Sequence, residues 1–361
     1  MNNYEQFEID DEKNKKNKKS QKKNKSERKY KITIAILILI NIIILIVLLK
    51  SKFYKNENNS NTNTIIDSNN FLNFLLVSDI HDNVTSLEML LSKAKSKKYD
   101  YTLYLGDMVK MTPGEQNSTK DASKYEQRMT QYLQKLETIS PVLYIPGNNE
   151  PYTIYEKNAP KLTQISSNIH NNFIKIKKDL YIAGIGGCTP ILNGGKYDKN
   201  IIPFSTLNTS NVIQNGFPYN LPQYGENNYK KSDEWFGNDI RNILNKIKKD
   251  AESNGLNNKY QVILISHEGP LYSWTNAQQQ LGTGEHWLYL GSMELEKILI
   301  NDENLILDIH GHIHPSRGIV TMVPGKTVIN PGAIINGFYG ELNVKKSEDK
   351  WIVNSMNLLD L

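Results

Sequence analysis

The chain has 361 residues, 39% of them hydrophobic and 9% aromatic, and a formal net charge of +5. That apolar content is enough to bury a sizeable core, which excludes wholesale disorder, and the length allows about two or three domains. A single cysteine, Cys188, excludes an internal disulfide framework, zinc fingers and iron–sulfur clusters.

The charge is localised. Residues 1–31 hold 11 Lys+Arg and 6 Asp+Glu, while the rest of the chain carries 32 of each sign, out of 43 and 38 in all. This basic segment is polar and cannot offset its chain entropy by burial, so it reads as a disordered tail. Residues 32–49 follow, with only Thr33 and Asn41 polar. As a helix they span about 27 Å, close to the roughly 30 Å hydrocarbon thickness of a bilayer. Nine isoleucines raise the alternative of a buried strand, but 18 residues without Gly, Pro or charge are too long for one. The expectation is therefore one transmembrane helix. Eight basic residues lie in 17–31 and three in 50–64. The positive-inside rule then puts the N-terminus in the cytoplasm and the remainder outside, as a single-pass protein of the cell membrane. Residues 50–70, seven of them Asn, read as a flexible linker. Residues 71–361 form the expected soluble domain.

This domain reads as alternating strands and helices. Strands are expected at 74–78 (FLLVS), 101–105 and 142–145, with helices at 84–97 and 125–139 between them. That βαβαβ order implies a locally parallel sheet. A hairpin is expected at 173–183, a long irregular loop at 188–232, a helix at 233–253 and a strand at 261–266. A second long loop at 267–291 carries Trp274 and Trp287. Ser292 should cap a short helix with Glu294 in its first turn, before a strand at 305–308 and short strand-like runs to the C-terminus.

Five of these strands run into ligand-type residues. They are Asp79, His81, Asp82 and Asn83; Asp107; Asn148, Asn149 and Glu150; His267 and Glu268; and His310, His312 and His314. Open α/β sheets bind ligands at the carboxyl ends of their strands, so the five segments should converge. Asp79 and His81 are two apart, as are His312 and His314, so each pair can face one side of an extended segment. Asp79, His81, Asp107, Asn148, His267, His312 and His314, which are two Asp, four His and one Asn, exceed a mononuclear zinc site, whereas two metals sharing a carboxylate fit the count. Nitrogen and oxygen ligands without thiolate suit Mn, Fe or Zn.

The ordered blocks D-x-H at Asp79, G-D at Asp107, G-N-x-[DE] at Asn148, the lone His267 and G-H-x-H at His312 resemble the calcineurin-like metallophosphoesterase superfamily. The texture around His267, His310 and Ile329 looks like its branch near cyclic-nucleotide phosphodiesterases. The resemblance implies a four-layer α/β/β/α sandwich and two divalent ions, manganese first, with Fe, Zn, Mg or Ni also compatible. It implies one ion held by Asp79, His81 and His314, the other by Asn148, His267 and His312, and Asp107 bridging. A hydroxide between the metals would attack a phosphate mono- or diester. The family's third block usually has a histidine where Asn149 stands, and that histidine is thought to protonate the leaving group or bind phosphate. Asparagine can donate a hydrogen bond but cannot transfer a proton at neutral pH. Good leaving groups are therefore favoured, unless His286 substitutes as the acid.

Other residues read as structural. His310 should be structural, with fixing a ligand carboxylate or histidine the alternative; Glu150 should bond the local backbone; Asp82 and Asn83 should cap the following helix, with a phosphate contact the alternative; and His170 should be exposed. Trp274 and Trp287 read as packing residues, with base stacking the alternative for a nucleotide. Asn-x-Ser/Thr sites occur at Asn58, Asn117 and Asn208. Two other functions compete with a membrane-anchored phosphoesterase acting on a small phosphate ester. One is a non-catalytic metal-binding module of the same fold. The other is a nuclease-type phosphodiesterase, which the absence of a basic excess after residue 31 disfavours.

Overall fold

The structure is a computed structural model, and it describes residues 70–110, 119–189, 192–193, 196–197, 226–279, 287–289 and 291–361. The expected tail, membrane span and nearly all of the linker lie outside these residues, as do His286, Asn58, Asn117 and Asn208. Among the described residues no helix is long and apolar enough to cross a membrane. Asp67–Leu361 form one compact unit.

Its elements in chain order are β1 (Phe71–Val77), α1 (Val84–Ala94), β2 (Tyr101–Tyr104), α2 (Thr119–Glu137), β3 (Val142–Tyr144), β4 (Ser167–Asn168), β5 (Asn172–Lys177), β6 (Leu180–Ile185), β7 (Leu192–Asn193) and β8 (Lys196–Tyr197). They continue with α3 (Glu226–Ser253), β9 (Gln261–Ser266), β10 (Ala277–Gln279), β11 (Trp287–Tyr289), α4 (Met293–Asn301), β12 (Leu305–Ile309), β13 (Gly318–Val323), β14 (Lys326–Asn330), β15 (Phe338–Ser347) and β16 (Lys350–Asp360). Two six-stranded sheets are ordered β16-β15-β1-β2-β3-β4 and β13-β14-β12-β9-β6-β5. Both are mixed. The runs β1 to β4 and β14 to β6 are parallel, and antiparallel strands flank them.

Side-chain alternation explains the layering. In β1, Leu72, Phe74 and Leu76 face a core shared with Ile263 and Ile265 of β9 and Leu307 and Ile309 of β12. Leu75 and Val77 point the other way, onto Leu87 and Leu90 of α1 and Leu133 and Leu136 of α2. The second sheet does the same, with Val262 and Leu264 packed on Phe236, Ile240 and Ile243 of α3 and Leu295 and Leu299 of α4. The layers thus run helices, sheet, sheet, helices. Strands covered on both faces read in the sequence as continuous apolar runs. Helix starts follow local chemistry: Asn83 accepts the Ser86 N–H at 3.0 Å, and Ser292 accepts the Leu295 N–H at 2.9 Å.

Four expectations are corrected. The C-terminal runs are two long strands, β15 and β16, of 10 and 11 residues. Helix α3 begins seven residues before the expected 233, through a polar stretch with no apolar stripe to announce it. The two long loops contain short strands that pair, β11 with β7 and β10 with β11, as parts of a small four-stranded sheet. His170 is half-buried rather than exposed: its Nδ1 accepts the Gly186 N–H at 2.8 Å, and its ring packs edge-on against Tyr155.

Candidate metal centre

The loops leaving β1, β2 and β3 of one sheet meet those leaving β9 and β12 of the other. Backbone hydrogen bonds zip them together. The Asp79 N–H donates to Gly106 O and the His81 N–H to Asp107 O, each at 3.0 Å, and the Gly311 N–H donates to His267 O at 3.1 Å. These loops are not extended. Asp79, His81, Asp82, Asp107 and His312 all have positive φ, between 47° and 64°. Each such residue costs roughly 1–3 kcal/mol, which the surrounding bonds must over-determine, and this strain gathers at functional sites. His312 and His314 lie in different clusters, the division that the resemblance implies, and the left-handed φ of His312 shows that the segment joining them is not extended.

One cluster is Asp79, His81 and His314, and the other is Asp107, His267 and His312; in each, the donor atoms lie within 4.8 Å of one another. Asp79 Oδ1 faces the imidazoles, 3.2 Å from His314 Nε2 and 3.6 Å from His81 Nε2. Its other oxygen accepts the Ser78 hydroxyl and the His312 N–H. Ser78 is thus a supporting residue whose only sequence signal is its place beside Asp79. Asp107 divides its two oxygens. Oδ1 lies 3.5 Å from His267 Nε2, and Oδ2 lies 3.5 Å from His81 Nε2. Asn148 Oδ1 lies 2.9 Å from His267 Nε2 and joins the second cluster.

The supporting contacts select ligand atoms. His267 Nδ1 is 2.7 Å from Leu105 O, a carbonyl that can only accept, so Nδ1 carries a proton and Nε2 points its lone pair or second proton into the cluster. Close approach requires glycine at two positions. A Cβ on Gly106 would lie 2.5 Å from His267 Nδ1, and one on Gly147 would overlap Asp107 and lie 2.6 Å from His267 Cε1. His310 uses both ring nitrogens elsewhere, at 2.8 Å from Thr275 Oγ1 and 3.1 Å from Gly311 O, and so holds the 3₁₀ turn Trp274–Asn276 against the ligand loop. Trp274 in that turn is 60% exposed. Asp82 accepts from Arg128, the Tyr132 hydroxyl and the Lys110 N–H, while its neighbour Asn83 caps α1. Asn149 bonds to Asp107 through both its backbone N–H and its side-chain Nδ2, each at 2.7 Å.

The electrostatics suit cation binding. Burial pulls His81 down, but its Asp79 hydrogen bond and the Asp107 charge outweigh this and hold it up to about 9. Burial likewise opposes His267, and the charge and hydrogen bond of Asp107 raise it to about 9. Burial alone would raise Asp107, yet the His267 and His81 charges bring it down to about 2. Asp79 is held well below the carboxylate range against its burial, by His314 and His81. Without a bound ion, protons on two imidazoles thus do the neutralising that a divalent cation would do.

Glu150 is fully buried, and burial, with the neighbouring Asp107 charge, pushes it up to about 7. It accepts three backbone N–H groups, from Asp107, Met108 and Gly147. An orphaned buried donor costs about 1–3 kcal/mol. Glu150→Ala should therefore lower stability by at least ~3 kcal/mol. Glu150→Gln, which keeps one acceptor oxygen, should lower it less. Urea unfolding midpoints of the two variants check this, and equal midpoints for both and the wild type would refute it.

The donor set fits two divalent cations, with three or four nitrogen and oxygen donors for each and one carboxylate between them. The sequence profile of the family described as calcineurin-like phosphoesterase matches residues 72–316. A search among curated proteins finds no match. Solved structures that the chain is similar to include TT1561 of Thermus thermophilus, at 16% identity over 79% of this chain and 98% of that one, with a TM-score of 0.44. The calcineurin-like phosphoesterase YfkN from Bacillus subtilis is 11% identical over 80% and 90%, with a TM-score of 0.40. Another is 14% identical over 79% and 99%, with a TM-score of 0.51, and shares the fold. The profile spans more than half of the sequence and includes every residue of both clusters, so the chain belongs to the calcineurin-like phosphoesterase family.

Proposed function

We propose that this chain is a membrane-anchored phosphoesterase that uses two divalent ions, manganese first, to hydrolyse phosphate mono- or diesters outside the cytoplasm. One observation carries the reading: Asp107 turns one oxygen toward each of two facing histidine–carboxylate clusters. Bound ions would supply a nucleophile at neutral pH and screen the charge of the phosphoryl oxygens. Asp79, His81 and His314 would hold one ion, Asn148, His267 and His312 the other, and Asp107 both. His267 is oriented by Leu105 O, and Asp79 by Ser78 and the His312 N–H. The anchor rests on the apolar run 32–49, and the topology on its asymmetric basic flanks.

The test is hydrolysis of bis(p-nitrophenyl) phosphate by the detergent-solubilised full chain, with and without Mn²⁺. Metal-dependent turnover and about two bound metals by elemental analysis are the expected results. No turnover with any divalent ion and no bound metal would overturn the enzyme assignment. A non-catalytic metal-binding module is favoured by one observation, the absence of a histidine at position 149; metal bound without turnover would select it. Protease added to intact cells should cleave the domain, and protection until detergent is added would refute the outward topology.

A further inference from the structure

Asn149 is buried, and it touches Asp107 with two separate donors. Its backbone N–H reaches Oδ1 and its side-chain Nδ2 reaches Oδ2, each at 2.7 Å. Each carboxylate oxygen offers about two lone-pair directions. One direction on each oxygen is taken by Asn149, and the other faces a histidine cluster, His267 on the Oδ1 side and His81 on the Oδ2 side. A carboxylate gripped at both oxygens cannot rotate to give both to one cluster. The turn that carries Asn149 is itself pinned, since its neighbour Glu150 accepts the Gly147 and Asp107 N–H groups and Gly147 presses on Asp107 with no room for a Cβ.

We infer that Asn149 is a positioning residue, whose amide locks Asp107 in the orientation that shares it between two cation sites, rather than a group that serves the leaving group of the substrate. The inference rests on the reading of Asp107 as a bridge in a two-metal phosphoesterase. A hydrogen-bonding partner of a ligand typically changes metal affinity 10–100-fold. Asn149→Ala keeps the backbone donor and removes the side-chain one. Asn149→Asp keeps the shape and sets an acceptor against a carboxylate.

The experiment titrates the full-length protein and both variants with Mn²⁺ by calorimetry and records the electron paramagnetic resonance spectrum. Aryl and alkyl phosphate ester turnover are measured in parallel, and circular dichroism establishes folding. The expected result is a 10–100-fold weaker second Mn²⁺ in Asn149→Ala and a larger loss in Asn149→Asp. The spin-coupled signal of an Mn²⁺ pair should fade in both, and the aryl-to-alkyl rate ratio of Asn149→Ala should stay within about twofold of wild type. Unchanged affinity and coupling, with an alkyl rate that falls more than the aryl rate, would overturn the inference and place Asn149 on the leaving group. A wild-type protein that binds no Mn²⁺ would overturn the two-metal reading itself, and with it this inference.

Discussion

Asp107→Asn should reduce kcat/KM on a chromogenic diester by about 10³-fold or more, because metal-derived charge stabilisation of several kcal/mol is at stake and ~4 kcal/mol corresponds to about three decades in rate. The change is nearly isosteric, so the fold should survive it. An amide has one acceptor oxygen where the carboxylate has two, and its nitrogen is a donor that cannot ligate. In Asp107→Asn one of the two clusters must therefore lose its shared ligand, whichever way the amide turns. The new amide also meets Asn149, whose two donors suit two acceptor oxygens and not one. Steady-state kinetics and metal content by elemental analysis check the expectation together. A variant that keeps two metals and stays within tenfold of wild type would show that Asp107 does not bridge.

Metal affinity should fall steeply as pH drops. Without a bound ion, His81 and His267 are each held up to about 9, so both carry protons at pH 7 that a ligating cation must displace. Each displaced proton makes affinity fall about tenfold per pH unit below that pKa, or about 100-fold when both are displaced. The raised histidines contribute stability to the ion-free fold that is fully present below their ordinary 6.5 and lost as pH rises through about 9. Asp107, lowered to about 2, contributes stability present above its ordinary 3.8 and lost as pH falls through about 2. These pairs therefore support the ion-free fold best between about pH 4 and 6.5. Added Mn²⁺ should raise Tm far more at pH 8 than at pH 6. Calorimetry at pH 7.5 in buffers of different ionisation enthalpy should show up to two protons released. No release, or a Tm shift independent of pH, would refute the linkage.

The strands that carry the site were readable because they are buried twice. FLLVS at 74–78 and QVILIS at 261–266 pack one face on the other sheet and one on helices, so they appear as unbroken apolar runs. The sheet edge was not readable. In β16, Lys350–Asp360, burial is uneven and polar residues such as Asn354 and Asn357 interrupt the pattern, so two long strands looked like short runs. Strands β7, β10 and β11 are two or three residues long, and β7 pairs with β11 across nearly a hundred positions, which leaves no local period to detect. His170 lies among asparagines that suggested solvent, yet it accepts a hydrogen bond from Gly186 on the loop that follows β6.

The sequence alone named the candidate ligand residues, because ligand types at strand ends are local features and the apolar runs place those ends. It also placed the charge: the +5 belongs to the first 31 residues and leaves the rest of the chain neutral. Only the tertiary structure decided how the ligand loops are held. Asp79, His81, Asp107 and His312 sit in left-handed turns that are fixed by bonds between distant segments. The same long-range packing brings Asn149 onto both oxygens of Asp107, 42 residues away, a contact that no spacing along the chain encodes.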